Sequence, residues 1–197
     1  MDKECIKVCV TGAAGNLAYS FIPMLVSGQV FGPRTNLHLT LLDVPSKEYA
    51  LKGLYLELED GAFPQLKKIE YGTDPKKMFE GCELVLFLGG SSRKPGQERI
   101  DLLQTNGAIF KEQGQALNEV GRPDCKCLVV ANPCHTNCYI LRKNCPKLPS
   151  ENFHALSRLD HNRALVQVTL SFSMNFCFFF FQKECSVLIT FISFLIK

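Results

Sequence analysis

The sequence predicts an α/β fold built on a doubly wound parallel sheet, and three observations support this prediction. Strand and helix patterns alternate along the chain, which is typical of crossover connections and not of a meander. Several strand patterns are short apolar runs, as expected for strands buried on both faces of a parallel sheet. A turn with two glycines separates the first strand from the first helix.

The first half of the chain contains two predicted strand and helix pairs. Residues 6–10 have the pattern of a strand, and residues 16–26 that of the helix after it. Residues 37–42 form the second predicted strand, which ends at Asp43. Residues 47–60 carry leucine and tyrosine at helical spacing, so this helix should pack one face on a sheet or a partner.

The second half continues the alternation. Residues 83–88 are nearly all apolar and are followed by Gly89 and Gly90, as expected of a buried strand. Residues 101–120 then predict a long helix, and residues 126–131 another buried strand. No internal repeat or linker interrupts this layout, which predicts a doubly wound sheet.

The composition changes after Val168. Residues 169–197 lack Gly, Pro and Asp and include four consecutive phenylalanines at 178–181. Neither of the two apolar stretches reaches the roughly 18 residues that a membrane helix needs, so a tail anchor is disfavoured. A translated intron is the favoured interpretation, because phenylalanine runs are what a T-rich splice tract encodes. An aggregation-prone strand segment is the third alternative.

Charge and cysteine content narrow the class of protein. The 22 basic and 19 acidic residues give a net charge of +3 without a long basic run, which disfavours a nucleic-acid partner. The start of the chain has no secretory signal pattern, so its ten cysteines fit a reducing cytosol. The Cys125/Cys127 and Cys134/Cys138 spacings are not convincing zinc half-sites, so no metal is predicted and core or strand positions are expected.

The glycine turn is the first candidate site. Gly12 and Gly15 lie in the segment 11–18 between strand and helix, where the backbone can approach a pyrophosphate and the helix offers free N–H groups. Ala18 is small enough for close packing of helix on strand. Asp43 could accept both ribose hydroxyls of NAD and would repel the 2′-phosphate of NADP. The alternative is a purely structural turn.

The segment 89–99 is the second candidate site, because it follows a buried strand at the sheet edge where ligands bind in this architecture. Arg93 and Arg99 could bind a dicarboxylate in a mobile loop, since guanidinium groups match carboxylates bidentately. A solvated basic loop explains the spacing equally well.

An ordered set of motifs over residues 6–167 resembles the malate dehydrogenases of the lactate/malate dehydrogenase superfamily. These motifs are Gly12-Ala13-Ala14-Gly15, Leu41-Leu42-Asp43, Arg93-Lys94-Pro95-Gly96 with Arg99, Ala131-Asn132-Pro133 with Thr136-Asn137, and Leu159-Asp160-His161-Asn162-Arg163. The segments 57–60 and 152–153 resemble the cytosolic branch in particular. The resemblance implies a Rossmann-type sheet with the second, substrate domain largely missing.

The resemblance also implies roles for individual residues. Arg93, Arg99, Asn132 and Arg163 would bind malate or oxaloacetate, and Asp160 would orient a catalytic histidine. The cofactor would be NAD, with contacts from Gly12, Ala14, Gly15, Asn16, Leu17, Asp43, Asn106, Gln113, Val130 and Asn132. The catalytic histidine belongs to a Gly-Asn-His segment further downstream that this sequence does not contain. His38, His135 and His154, in strand or loop contexts, and His161 are expected to be structural.

Domain and function follow as expectations. Residues 1–153 should form the NAD-binding domain, 154–168 the start of the substrate domain, and 169–197 a non-family tail. The implied activity is NAD-dependent interconversion of malate and oxaloacetate in malate metabolism and the tricarboxylic acid cycle, with little turnover by this truncated chain. The alternative is a non-catalytic fragment that binds NAD or pairs with a full-length subunit through helix 47–63. A cytoplasmic homodimer without a membrane partner is expected.

Overall fold

A computed structural model describes residues 5–92, 96 and 98–171. The chain divides into two compact units, Met1–Ala155 and Leu156–Lys197. Arg93 and most of the predicted tail lie outside the described residues. The tail-anchor, intron and strand interpretations therefore concern a segment that is largely undescribed.

Six strands of the described chain form one sheet in the order β3-β2-β1-β4-β5-β6. Every neighbouring pair is parallel. The strands are β1 (Cys5–Thr11), β2 (Asn36–Leu42), β3 (Leu66–Gly72), β4 (Leu84–Phe87), β5 (Lys126–Val129) and β6 (Phe153–Ala155). The strand order reverses between β1 and β4, which is the topological switch point at which such sheets bind ligands. The predicted doubly wound α/β fold is confirmed.

The helices of the described chain are α1 (Asn16–Val26), α2 (Glu48–Asp60), α3 (Pro75–Phe79), α4 (Arg99–Val120), α5 (Cys134–Lys143) and α6 (Arg158–Ser171). The predicted bounds of α1 are those observed. Helix α4 begins at Arg99 and not at Asp101, because a capping box joins the backbone N–H of Glu98 to the Asp101 carboxylate at 3.0 Å.

The sequence patterns did not identify β3, α3, α5, β6 or α6. Strand β3 lies at the sheet edge and is only partly buried, so it lacks an apolar run. Strand β6 has three residues, too few for a periodicity. The strand or loop context expected for His135 is wrong, because this residue lies in α5, where its side chain is exposed on a solvated helix face.

One hydrophobic cluster of the core lies on the sheet face covered by α3, α4 and α5. Phe87 of β4 contacts Phe79 and Phe110, with ring centroids 5.8 Å apart in both pairs. Cys9, Cys82, Cys125, Cys127 and Cys145 are fully buried in or beside this cluster. The expectation that cysteines occupy core positions is confirmed for these residues. Burial raises the pKa of the Cys138 and Cys145 thiols to about 11.

Two searches of the described residues bear on other function classes. None of the described helices is long and apolar enough to span a membrane. The described histidine, cysteine and carboxylate side chains include no group of three or more arranged to hold a metal ion.

Candidate functional site

A cleft of about 840 Å³ opens at the carboxyl ends of β1, β2 and β4. The turn after β1 and the start of α1 form its floor, the segment after β2 forms one wall, and the loop after β4 with one face of α4 forms the other. Its lining includes Gly12, Ala14, Gly15, Asn16, Leu17, Asp43, Lys47, Gly90, Ser91, Ile109, Glu112 and Gln113. Many of the predicted cofactor residues thus share one cavity.

The glycine turn brings two loops into main-chain contact. Gly12 has φ +65°, and a Cβ on it would lie 2.3 Å from the Cα of Gly89 in the loop after β4. A Cβ on Gly89 would lie 2.8 Å from the backbone nitrogen of Gly12. Only glycine at both positions allows this approach, because backbone atoms cannot move aside as side chains do.

The N-terminus of α1 faces the cleft without a side-chain cap. The backbone N–H of Gly15 donates to the carbonyl oxygen of Gly12 at 2.9 Å, which closes the turn directly before the helix. Gly15 is the N-cap residue and supplies no side-chain hydrogen bond. The first N–H groups of the helix and its positive dipole end are therefore suited to an anionic group.

Asp43 follows β2 and is anchored through both carboxylate oxygens. Its Oδ2 accepts the backbone N–H of Ala14 at 2.9 Å, and its Oδ1 accepts that of Val44 at 2.8 Å. The side chain is thereby joined to the glycine turn and remains half-buried at the cleft wall. Each oxygen keeps a second lone pair, so the carboxylate can still accept hydrogen bonds from a ligand.

Asn106 of α4 is fully buried and joins two loops. Its Oδ1 accepts the backbone N–H of Ser91 at 2.7 Å, and its Nδ2 donates to the carbonyl oxygens of Ser91 at 3.3 Å and Asn132 at 2.8 Å. All three hydrogen bonds of the amide are thus made with the backbone of the loops after β4 and β5. In the structure Asn106 supports these loops, and its predicted contact with the cofactor stays a prediction.

Gln113 lies two helical turns beyond Asn106 and lines the cleft. Its Oε1 is buried and has no hydrogen-bond partner among the described residues. A buried carbonyl oxygen without a partner is costly, so a donor from a bound molecule would stabilise it.

The segment after β5 carries the next predicted residues. The backbone N–H of Val130 donates to the carbonyl oxygen of Phe87 at 3.0 Å, which extends the contact between β5 and β4. Asn132 is exposed and precedes Pro133 through a cis peptide bond. Nδ2 of the fully buried Asn137 donates to the carbonyl oxygen of Ala131 at 2.9 Å, which holds this segment from α5.

The predicted substrate residues are distributed differently. Arg93 lies outside the described residues, and Arg99 is described only as the first residue of α4. Asp160 and Arg163 both lie on α6 in the second unit, where the Arg163 Nη1 and Asp160 Oδ1 atoms are 3.1 Å apart. The structure thus brings these two residues together as an exposed ion pair.

Sequence reasoning missed several cleft residues, among them Lys47, Ile109 and Glu112, whereas Ser91 belongs to the predicted segment 89–99. The signal for those on α4 was present: positions 106, 109 and 113 are spaced for one helix face. Asn106 and Gln113 were predicted from the family resemblance, and the helical spacing that adds Ile109 to them was not used.

These residues fit a dinucleotide. The uncapped start of α1 after the glycine turn suits pyrophosphate, and the anchored carboxylate at the end of β2 can accept ribose hydroxyls. The buried oxygen of Gln113 lacks a donor among the described residues. Fold and site together define a dinucleotide-binding domain of the Rossmann type. Residues 6–154 match the family model of the lactate/malate dehydrogenase NAD binding domain, and the chain belongs to that family.

Two curated relatives are similar in sequence. The chain is 49% identical over 159 residues to a malate dehydrogenase of Protochlamydia amoebophila (strain UWE25), covering 81% of this chain and 48% of the relative. It is 48% identical over 168 residues to a chloroplastic NADP malate dehydrogenase of Flaveria bidentis, covering 85% of this chain and 37% of the relative. The chain thus spans less than half the length of these relatives.

Solved structures of dehydrogenases are similar in fold. The malate dehydrogenase of Naegleria fowleri ATCC 30863 matches with TM-score 0.80 and 40% identity, over 87% of this chain and 52% of that chain. The lactate dehydrogenase of Trichomonas vaginalis in complex with NADH and oxamate matches with TM-score 0.78 and 39% identity, over 85% of this chain and 50% of that chain. The chain corresponds to about half of each.

Proposed function

We propose that the chain binds NAD(H) in the cleft between the glycine turn and Asp43. The observation that carries this proposal is the hydrogen bond from the Ala14 N–H to the Asp43 carboxylate, because it fixes a ribose-binding group beside the turn. The pyrophosphate would lie at the uncapped start of α1, against the backbone of Gly12, Ala14, Gly15, Asn16 and Leu17. Gln113, Val130 and Asn132 are the proposed contacts of the nicotinamide half.

NAD is proposed over NADP, although one relative is named as an NADP enzyme. Asp43 carries a negative charge where the 2′-phosphate of NADP would lie, and the repulsion would weaken NADP binding. Calorimetric titration of the full chain with NADH and NADPH tests this proposal. We expect heat of binding and thermal stabilisation with NADH, and weaker binding of NADPH. Absence of both effects with NADH would reject it.

The proposed reaction is that of a malate dehydrogenase of the cytosolic type, the interconversion of malate and oxaloacetate. When bound, NAD supplies the hydride acceptor. Arg93, Arg99 and Arg163 would hold the substrate carboxylates, Asn132 would contact substrate and cofactor, and Asp160 would orient the proton-accepting histidine. We further propose residues 1–153 as the cofactor domain, 154–168 as the start of the substrate domain, 169–197 as a non-family tail, and the cytoplasm as the location.

The 197 residues by themselves are proposed to have little turnover. None of their four histidines lies in a Gly-Asn-His segment, so general acid–base catalysis worth roughly a hundred- to ten-thousand-fold would be lacking. A spectrophotometric assay of malate oxidation by purified protein measures this. Turnover at a rate usual for dehydrogenases, about 10–1,000 per second, would contradict the proposal.

A second candidate function is subunit pairing, favoured by an apolar face on α1 and α2. Tyr49 is 91% exposed, Leu56 is 49% exposed and Tyr19 of α1 is 53% exposed. A hydrogen bond to Glu57 raises the pKa of Tyr19 and joins the two helices at this face. Analytical ultracentrifugation of the wild type and of Leu56→Asp tests pairing. A dimer that Leu56→Asp dissociates is expected, and a monomeric wild type would reject it.

A further inference from the structure

Asn106 connects the loop after β4, which lines the side of the cleft away from Asp43, to the segment after β5. It is 0% exposed, and its amide donates twice and accepts once, all to backbone groups. Both the N–H and the carbonyl oxygen of Ser91 bind this one side chain. The third partner is the carbonyl oxygen of Asn132, which follows the neighbouring strand β5.

The surroundings of Asn106 leave this arrangement little freedom. A Cβ on Gly90 would lie 3.4 Å from the Asn106 Oδ1 and 3.2 Å from the Cβ of Ala131, so the two loops already pack closely at this point. Nδ2 of Asn137, on the neighbouring helix α5, donates to the carbonyl oxygen of Ala131. Two buried amides thus hold two successive carbonyl groups of the segment after β5.

The Asn106 side chain with its hydrogen bonds to Ser91 and Asn132 is called the clamp below. Its position in the fold indicates which half of a dinucleotide it serves. Asp43 at the end of β2 is the group suited to the adenosine ribose, and the glycine turn at the end of β1 to the pyrophosphate. The remaining half of the molecule must extend across the switch point towards β4 and β5. Ser91 lines the cleft on that side.

We propose that Asn106 is a positioning residue that holds the loops after β4 and β5 in the geometry that accepts the nicotinamide half of the cofactor. This inference rests on the proposed NAD(H) binding. The side chain acts through the backbone of Ser91 and Asn132, because its own hydrogen bonds are all used within the protein. Truncation leaves those backbone groups without their buried partner and frees both loops.

The test compares two ligands, NADH and ADP-ribose, which is the same molecule without the nicotinamide. The full chain and Asn106→Ala are titrated with each by calorimetry. We expect Asn106→Ala to weaken NADH binding about tenfold, the effect of losing the nicotinamide contacts, and ADP-ribose binding less than twofold. Equal weakening of both ligands would overturn the proposal, since a merely destabilised fold does not distinguish them.

Asn152 offers a matched control. It is 3% exposed and also makes two side-chain hydrogen bonds, to Lys126 Nζ at 2.6 Å and to the Pro123 carbonyl oxygen at 3.0 Å, at the opposite end of β5. Asn152→Ala should lower thermal stability without changing either affinity. If it changes the ratio of the two affinities as Asn106→Ala does, the assignment to the nicotinamide half is wrong.

Hydrogen exchange of the wild type tests the clamp without any variant. The Ser91 N–H should exchange slowly before ligand is added, because Asn106 already holds it. Exchange at the rate of an unprotected amide would overturn the proposal even if Asn106→Ala does not fold. If the wild type binds neither NADH nor ADP-ribose, the proposed NAD(H) binding is rejected. Slow exchange of the Ser91 N–H in that case would show that the Asn106 hydrogen bonds are nevertheless formed.

Discussion

The half of the cleft beside β1 and β2 depends on a main-chain contact with the loop after β4, whereas that loop is joined to the segment after β5 by a buried side chain. In the first half, Gly12 and Gly89 approach so closely that neither has room for a Cβ. In the second, Asn106 joins the backbone of Ser91 to that of Asn132. The main-chain contact requires that Gly12 and Gly89 have no Cβ, whereas the second half depends on the hydrogen bonds of the Asn106 amide.

The largest effect is expected from a substitution that disrupts the contact between the glycine turn and Gly89 in the first half of the cleft. Gly12→Ala places a Cβ 2.3 Å from the Gly89 Cα at a φ of +65°, so both loops must shift. We expect destabilisation by about 2–4 kcal/mol and loss of detectable NADH binding. Thermal unfolding and calorimetry measure these effects.

Gly53→Ala is the matched control for Gly12→Ala. A Cβ on Gly53 would meet no heavy atom within 4 Å, and the residue lies within α2. This change should stabilise the fold by about 0.5–1 kcal/mol through helix propensity and leave NADH affinity unchanged. Equal destabilisation by both substitutions would contradict the close-approach argument.

The second prediction removes the ribose-binding group from the first half. Asp43→Ala should weaken NADH binding roughly ten- to a hundredfold, because charged hydrogen bonds are lost, and should weaken ADP-ribose equally. The affinity for NADPH should fall far less, because the repulsion between Asp43 and the 2′-phosphate disappears. Calorimetry with the three ligands measures this, and Asp124→Ala, an exposed ion-paired aspartate, is the control. Unchanged selectivity between NADH and NADPH would contradict the assignment.

The third prediction applies a smaller change to the second half. Gly90→Ala introduces a Cβ 3.2 Å from that of Ala131 and 3.4 Å from the Asn106 Oδ1, so the clamp must adjust by a few tenths of an ångström. We expect NADH affinity to fall about two- to fivefold and ADP-ribose affinity to change less. A larger loss for ADP-ribose than for NADH would show that Gly90 serves the other half.

The smallest expected effect is a pH dependence of stability, and it arises from a residue outside both halves of the cleft. Burial lowers the pKa of His38 despite its 2.8 Å contact with Glu70, so the folded state disfavours the protonated ring. The stability that neutral His38 contributes is therefore full above about pH 6.5 and is lost as the pH falls through the lower, folded-state pKa. His154, whose pKa burial also lowers, contributes with the same sign.

Thermal unfolding midpoints at about pH 7.5 and about pH 5.5 measure this dependence. The midpoint of the wild type should fall on acidification, and His38→Gln should reduce that fall without abolishing it. NADH affinity of the variant at pH 7.5 should equal that of the wild type, because neither half of the cleft includes His38. A steeper fall in His38→Gln would reverse the assigned sign.

The same contrast explains what the sequence could predict. The glycine turn and Asp43 are recognisable because residue type, spacing and position between strand and helix all point to one chemistry. The clamp is not recognisable, because a single asparagine inside a long helix has no pattern until the fold brings it against Ser91 and Asn132. Edge strand β3 and the three-residue β6 were not predicted for a related reason. Their pairing is set by neighbouring strands and not by their own periodicity.

The most direct test of the account measures four affinities, those of Asp43→Ala and Asn106→Ala for NADH and for ADP-ribose, relative to the wild type. We predict that Asp43→Ala weakens the binding of both ligands by the same factor, whereas Asn106→Ala weakens NADH binding about tenfold and leaves ADP-ribose affinity within twofold of the wild type. If both variants weaken both ligands by one common factor, the two halves of the cleft do not bind separate halves of the dinucleotide.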